Sequence, residues 1–434
     1  MEKDKIFAIL TDWNAWNKPL PATFSRPLYE QEIARKAKSG EVIVIKGVRR
    51  SGKSTLLTNE IKRLQAGGMP IKNILFVNLE DQRFSLFEPL TLLEKIKETW
   101  LEYVQPQGDT VIMLDEVQNI PQWEKWVLKE YETGSSKLYV TGSNSQLLGV
   151  EFGTALTGRY LDVEVYPLGF KEFLLFHAVE VHSRADFIQQ RLRIKQLFRR
   201  YVAFGGFPKI ALTDDELLAK ETLKVYFDSI LLRDIVSRHK LSNFGVLQEL
   251  SLFLLSNNAT LNAYNKLKNT FNVSFEIIRE YVEFLQSAYL IFTLNKFDYS
   301  YKKQVINPKK FYAVDTGLSN NVSFSVSAKI AQNLENIVFL ELKRRHENAF
   351  YYKTANNLEV DFLVERDDYY ELIQVCATLQ DSATRHRELR VFAVAATELH
   401  KPIKPLILTL DESETVVQDG LSIEIRNVLE WLCL

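Results

Sequence analysis

Short apolar runs alternate with stretches of helical periodicity between about residue 41 and residue 165. The runs predict strands at 42–46, 74–79, 111–114, 138–140 and 161–165, and the periodic stretches predict helices over 53–66, 87–104 and 121–132. Strands that alternate with helices argue for a parallel sheet flanked by those helices. Beyond residue 166 the pattern turns mainly helical. Residues 184–200 set Arg184, Arg191, Arg193, Lys195, Arg199 and Arg200 among Leu and Phe, which reads as one amphipathic helix. Its polar face is either solvated or turned to a phosphate or an acidic partner. Gly205-Gly206-Phe207-Pro208 interrupts the pattern and residues 226–240 resume it.

Residues 245–255, 260–267 and 273–288 read as three more helices, followed by a strand-like run at 290–297. That order predicts a helix-turn-helix with a strand tail, its third helix capped by Ser274. The exposed positions of this helix include Glu276, Arg279, Glu280 and Glu283, and such acids repel phosphate. In the tail, an apolar helix over 334–342 carries Glu335, a run at 359–364 carries Asp361, and a second run ends in Gln374-Val375-Cys376. The expected domains are therefore 1–165 with an N-terminal extension, 166–240, 241–300 and 301–434.

Candidate chemistry concentrates in the first third. Residues 47–54 read Gly-Val-Arg-Arg-Ser-Gly-Lys-Ser and match the phosphate-binding pattern G-x-x-x-x-G-K-[ST] between a predicted strand and a predicted helix. Gly47 and Gly52 let the backbone curl so that the N–H groups of Val48, Arg49, Arg50, Ser51 and Thr55 and their neighbours face phosphate oxygens. The positive end of the following helix adds to the attraction. Lys53 is placed to reach the β- and γ-phosphates, and Ser54 to offer its hydroxyl to Mg²⁺. The side chains of Arg49 and Arg50 have solvent as their simplest destination. The run at 111–114 ends in Asp115-Glu116, at the carboxyl edge where parallel sheets bind ligands. Asp115 is the candidate metal ligand and Glu116 the candidate base that deprotonates water.

Thr141-Gly142-Ser143-Asn144-Ser145 closes the fourth predicted strand, so Ser143 or Asn144 is a γ-phosphate sensor, a helix N-cap, or both. Arg159, on the carboxyl side of the nucleotide-binding run, is either an arginine supplied to a neighbouring subunit's γ-phosphate or a structural ion pair. Asn295-Lys296-Phe297-Asp298 imitates a guanine-reading motif, but it lies far outside the predicted sheet. The nucleotide is therefore expected to be ATP.

Composition narrows the setting more than the function. The 434 residues give a soft expectation of about three domains, and 46% apolar with 25% charged residues is enough for sizeable cores. A net charge of −1 selects no partner class. Two cysteines, Cys376 and Cys433, give no disulfide framework and fit a reducing compartment. No signal-like start and no bilayer-length apolar run are apparent, so a cytoplasmic protein without a membrane partner is expected.

The motif order is similar to that of bacterial and archaeal AAA-type ATPases whose ATPase domain is fused to a C-terminal domain of unknown function. The resemblance rests on residues 47–54, Leu114-Asp115-Glu116-Val117-Gln118, Thr141-Gly142-Ser143 and Leu156-Thr157-Gly158-Arg159-Tyr160. It extends through Tyr166-Pro167-Leu168-Gly169-Phe170-Lys171-Glu172-Phe173 and Gly205-Gly206-Phe207-Pro208. It implies an α/β P-loop NTPase core with inserted strand order, then a helical lid, a winged-helix unit and a small α/β nuclease-like domain. By the same resemblance Lys53 and Ser54 bind phosphate and Mg²⁺, Asp115 binds the metal and Glu116 is the base; Asn144 stands where relatives often have Ser. The tail resembles the PD-(D/E)xK nucleases, yet Gln374-Val375-Cys376 replaces their E-x-K, which argues against phosphodiester cleavage. Glu335 and Asp361 are left to hold a weak metal or to pair with Lys343 and Arg344. The expected function is a Mg²⁺-dependent ATPase coupling nucleotide state to domain rearrangement. The alternatives are a nucleotide-gated switch or scaffold for a protein partner, and a DNA- or RNA-binding protein with an inactive tail.

Overall fold

The strands of the first third are apolar without alternation because helices cover them on both faces. In the computed structural model, which describes residues 2–134, 136–145, 156, 158–322 and 330–434, the chain divides into two units, Met1–Val165 and Tyr166–Leu434. Thr157 of the resemblance motif lies outside the described residues. The first unit runs α1 (Glu2–Trp13), α2 (Pro27–Ala37), β1 (Val42–Gly47), α3 (Lys53–Ala66), β2 (Ile74–Asn78), α4 (Pro89–Val104), β3 (Val111–Asp115), α5 (Trp123–Thr133), β4 (Lys137–Gly142) and β5 (Tyr160–Val165). Its five strands lie in the order β2-β3-β4-β1-β5, all neighbours parallel. The strands sort alternate residues into two layers. Val42 and Val44 of β1 join Ile6, Leu93, Trp100 and Val127, whereas Ile43 and Ile45 join Tyr29, Ile33, Leu56 and Ile61. The parallel arrangement brings the loops after β1, β3 and β4 to one edge of the sheet.

In the second unit the helices Phe170–Phe176 and Arg191–Phe204 bury Phe170, Phe173, Ile194 and Phe198 in one core with Phe339, Val364, Ile373 and Leu408 of the tail. The stretch 184–200 is two helices rather than one, because Ser183 starts Arg184–Gln189 with a capping box and the chain turns again at Gln190. Residues 226–240 are likewise divided. A helix Glu216–Ser229, capped by Asp215, widens into a π-helical turn Ile230–Val236. Helices Phe244–Ser256, Tyr264–Phe271 and Phe275–Ser287 follow, the last capped by the Ser274 hydroxyl. Thr260–Asn262, expected as helix, is strand β6. It pairs with β8 (Lys309–Ala313), which also pairs with β7 (Ile291–Leu294), in an antiparallel sheet ordered β6-β8-β7.

The tail sheet contains β9 (Ala349–Lys353), β10 (Glu359–Glu365), β11 (Tyr370–Val375), β12 (Ile403–Thr409), β13 (Glu414–Gln418) and β14 (Leu421–Asn427). The order is β13-β14-β12-β11-β10-β9, parallel at β11–β12 and β12–β14 and antiparallel elsewhere. Helices Ile330–Arg344 and Ser382–Glu398 contribute to its two cores. Among the described residues no helix is long and apolar enough to cross a membrane.

The glycine motif of the second unit is explained by one buried carboxylate. Asp315 accepts hydrogen bonds from the backbone N–H groups of Gly206 at 2.7 Å and Gly317 at 2.9 Å. Burial pushes its pKa up to about 6 although those N–H donors favour the ionised form. A Cβ on Gly206 would sit 2.3 Å from the Leu168 carbonyl oxygen, and Leu168 N–H donates back to the Gly206 carbonyl at 2.7 Å. The backbones touch only because the side chain is absent. Gly206→Ala is therefore expected to lower stability by ~3 kcal/mol, since the obstacle is backbone and cannot rotate away. Urea unfolding measures this; an unchanged midpoint would show that the contact relaxes freely.

Candidate functional site

Gly47 ends β1 and starts the loop. Its φ is 152°, and a Cβ there would lie 2.0 Å from the Val165 carbonyl oxygen on the neighbouring strand. The chain then turns through residues 48–52 into α3, whose first two residues are Lys53 and Ser54. Lys53 is 3% exposed. Its ammonium donates to the carbonyls of Gly47 at 3.1 Å and Val48 at 3.3 Å and lies 3.3 Å from Glu116 Oε1. Ser54 Oγ donates to Asp115 Oδ2 at 2.7 Å. The loop after β1 and the acids ending β3 thus meet at the carboxyl edge, through one ion pair and one hydroxyl–carboxylate bond.

The carboxyl end of β4 completes the cluster. Thr141 donates to Asp115 Oδ1 and accepts from the backbone N–H of Glu116 at 3.0 Å. Glu116 adopts a left-handed conformation, φ 58°, as the chain leaves β3. Gln118 donates through Nε2 to Glu116 Oε2 at 2.5 Å and to Ser143 Oγ at 3.4 Å. Ser143 and Asn144 are both buried at the end of β4.

Two adjacent buried carboxylates beside one ammonium cannot ionise equally well. Burial raises Asp115, and the neighbouring Glu116 charge raises it further, to about 6, against the hydroxyls of Ser54 and Thr141. Burial also works against ionisation of Glu116, but Lys53, then Gln118 and Arg49, outweigh it and hold this carboxyl down at about 2. In this state Glu116 is an ion-paired carboxylate.

Arg49 departs from its expected solvent-facing position. It is 6% exposed, and its guanidinium meets Glu80 Oε1 at 2.7 Å. The carboxylate of Glu80, just after β2, holds the side chain against the protein. Arg50 is exposed, and Val48 is buried. Arg159 does not join the cluster. Its carbonyl accepts from Val42 N–H, and β5 runs parallel to β1 from there over 6 residues, so it sits at the opposite edge of the sheet, roughly 20 Å from Gly47. Its guanidinium pairs with Glu132 at 2.9 Å, both side chains exposed. Such a pair contributes at most ~1 kcal/mol.

The residues present fit a phosphate chain and Mg²⁺. Ser51 Oγ and Gln118 Oε1 are buried with no hydrogen-bond partner among the described residues, as expected of groups placed for a ligand. A hydroxyl and a carboxylate in contact are the hard oxygen donors Mg²⁺ prefers, with phosphate and water filling its other positions. Three contributors were not identified from sequence. Thr141 and Gln118 lie inside recognised motifs, but their roles depend on which atoms they reach. Arg26, 2% exposed, donates to the Ser51 carbonyl at 2.8 Å and covers the Tyr29 ring at 4.5 Å. No local pattern announces that support of the loop from the N-terminal extension.

In the tail, Glu335 and Asp361 meet, but on Lys310 rather than on Lys343 or Arg344. Arg344 instead donates to the Pro167 carbonyl at 2.9 Å.

Sheet order, loop and acidic strand end define a P-loop NTPase core. Residues 39–174 match the family model described as an AAA domain, and residues 195–329 and 332–428 match two domains of unknown function (DUF8612 and DUF4143). An uncharacterized protein of Methanocaldococcus jannaschii is 37% identical over 388 residues, spanning 85% of this chain and 84% of that protein. One of Haemophilus influenzae is 31% identical over 417 residues, spanning 95% and 99%. Among solved structures, the Walker-type ATPase of Pyrococcus abyssi aligns over 69% of this chain and 96% of its own, with 15% identity and a TM-score of 0.45. The chain belongs to the AAA-type P-loop ATPases that carry C-terminal domains of unknown function.

Thr141→Val keeps the side-chain shape but removes both hydrogen bonds at the junction of Asp115 and Glu116. The stranded Glu116 N–H should lower stability by ~2 kcal/mol. A urea midpoint equal to wild type would show that the hydroxyl does not hold the acids in place.

Proposed function

We propose that this chain is a Mg²⁺-dependent ATPase in which ATP draws Lys53 away from Glu116 and so releases the catalytic base. The observation that carries the reading is the shared ammonium: Lys53 contacts Glu116 and the carbonyls of the same loop that would cradle phosphate. The N–H groups of residues 48–55 bind the triphosphate, and the ammonium of Lys53 neutralises its β- and γ-oxygens. Ser54 and Asp115 hold Mg²⁺, which supplies charge neutralisation of the phosphates. Thr141 keeps Asp115 in register. Glu116 takes the proton of the water that attacks the γ-phosphorus as the bond to the ADP oxygen breaks. Gln118 orients Glu116, and its unpartnered carbonyl accepts a hydrogen bond from that water. Ser143 and Asn144 report the presence of the γ-phosphate to the start of the next segment.

Arg159 serves a neighbouring copy, since its place at the far edge of the sheet is out of reach of its own loop. The second unit responds to nucleotide state. Helices Phe244–Ser256, Tyr264–Phe271 and Phe275–Ser287 with β6, β7 and β8 follow the element order of a winged helix. Its third helix turns Glu276, Glu280 and Glu283 to solvent, which favours a protein partner over DNA or RNA. A reducing cytoplasm suits two buried free thiols. The second reading, a switch with little turnover, draws on Glu116 being tied by both Lys53 and Gln118.

ATP turnover with separate binding measurements distinguishes these. Glu116→Gln should retain ATP binding and lose ~10²–10⁴-fold in turnover, as removal of a general base does. Lys53→Ala should lose binding as well. Wild-type turnover in Glu116→Gln would remove the assignment, and undetectable turnover in the wild type with tight ATP binding would favour the switch.

For Arg159, the test is mixing. Arg159→Ala and Glu116→Gln should each be inactive alone, with a loss near 10³-fold or more for the arginine, yet regain activity when combined, because mixed neighbours restore one complete site. Arg159→Ala at the wild-type rate would assign the residue to its ion pair with Glu132.

A further inference from the structure

We infer that the nuclease-like site of the tail is closed by a built-in cation: the ammonium of Lys310 occupies the place of a divalent metal ion. Lys310 lies on β8, outside the six-stranded sheet, and is 2% exposed. Its Nζ is 2.8 Å from Glu335 Oε1, 2.8 Å from Glu359 Oε1 and 2.9 Å from Asp361 Oδ1. Glu335 comes from the helix Ile330–Arg344, whereas Glu359 and Asp361 stand two apart on β10 and so share a face of the strand. Two elements therefore bring three carboxylates to one positive charge on β8.

The neighbours of that charge decide what it can do. The ammonium donates to Glu335 Oε1 and Asp361 Oδ1 and forms an ion pair with Glu359. Its charge is spent on three carboxylates inside the cluster, so Lys310 does not stand in for the missing lysine of the E-x-K element. The carboxylates are also committed. Glu335 accepts from the Tyr312 hydroxyl at 2.7 Å, and Asp361 Oδ2 accepts from the Val375 N–H at 2.9 Å. Gln374, at the former acid position, accepts from the Asp361 N–H at 2.7 Å and donates to Glu388. Each group a nuclease would use to hold a metal is engaged with a protein partner.

The cluster still carries more acid than base. Burial, then the Asp361 charge, raises the Glu335 pKa to about 7. Removing one partner of a buried charge group leaves the others uncompensated. Without Lys310 the carboxylates would need another cation, and Ca²⁺ is the apt probe. It takes carboxylate oxygens at about 2.3–2.6 Å in flexible geometry, so they need close in by only a few tenths of an ångström.

The test uses the full nucleotide-free chain, with thermal unfolding and calorimetric titration of Ca²⁺. Wild type should show no Ca²⁺ binding that Asp361→Asn abolishes. Lys310→Ala should melt several degrees lower and regain some of those degrees in millimolar Ca²⁺, and Asp361→Asn added to it should cancel the rescue. Recovery of folded Lys310→Ala only in Ca²⁺-containing buffer counts in favour. Asp361-dependent Ca²⁺ binding by the wild type overturns the inference. So does a Lys310→Ala chain that gains nothing from Ca²⁺ or stays unfolded in its presence.

Discussion

One buried ammonium between the glycine-bounded loop and a carboxylate is the constraint on which the nucleotide site depends. Asp115 and Glu116 are consecutive, buried and of like charge, an arrangement that is costly unless protons or cations relieve it. Lys53 relieves Glu116, and the hydroxyls of Ser54 and Thr141 serve Asp115. In the ligand-free site the charged groups thus have partners within the protein, while Ser51 Oγ and Gln118 Oε1 have none among the described residues. In the proposed mechanism ATP exchanges one set of partners for another, and that exchange links binding to chemistry.

The inserted strand order makes this economy of groups available. With β4 between β1 and β3, Thr141 lies between the loop and the acidic pair and can bond to both Asp115 and Glu116. The second unit repeats the theme with different chemistry. Asp315 joins Gly206 to Gly317, and Lys310 joins three carboxylates, each a buried charge with partners distant in sequence.

What could be read from the chain was what is local. The apolar runs located all five strands of the first sheet, and residues 47–54 with Asp115 and Glu116 are contiguous motifs whose spacing implies a loop and a strand end. What escaped depended on partners distant in sequence. Thr260–Asn262 looks helical until β8 pairs with it, and Arg49 looks solvent-bound until Glu80 arrives from the next strand. Lys310 follows Lys309 and resembles any surface basic pair, yet Lys309 is half-buried and Lys310 is held in the carboxylate cluster. The support of Ser51 by Arg26 is equally non-local.

The most direct measurement is a crystal structure with Mg²⁺ and a non-hydrolysable ATP analogue. The account predicts that Lys53 leaves Glu116 for the phosphate oxygens, with the metal on Ser54 and Asp115 and a water between Glu116 and the γ-phosphorus. An analogue bound elsewhere, or a Lys53 still paired with Glu116 beside an occupied loop, would contradict it.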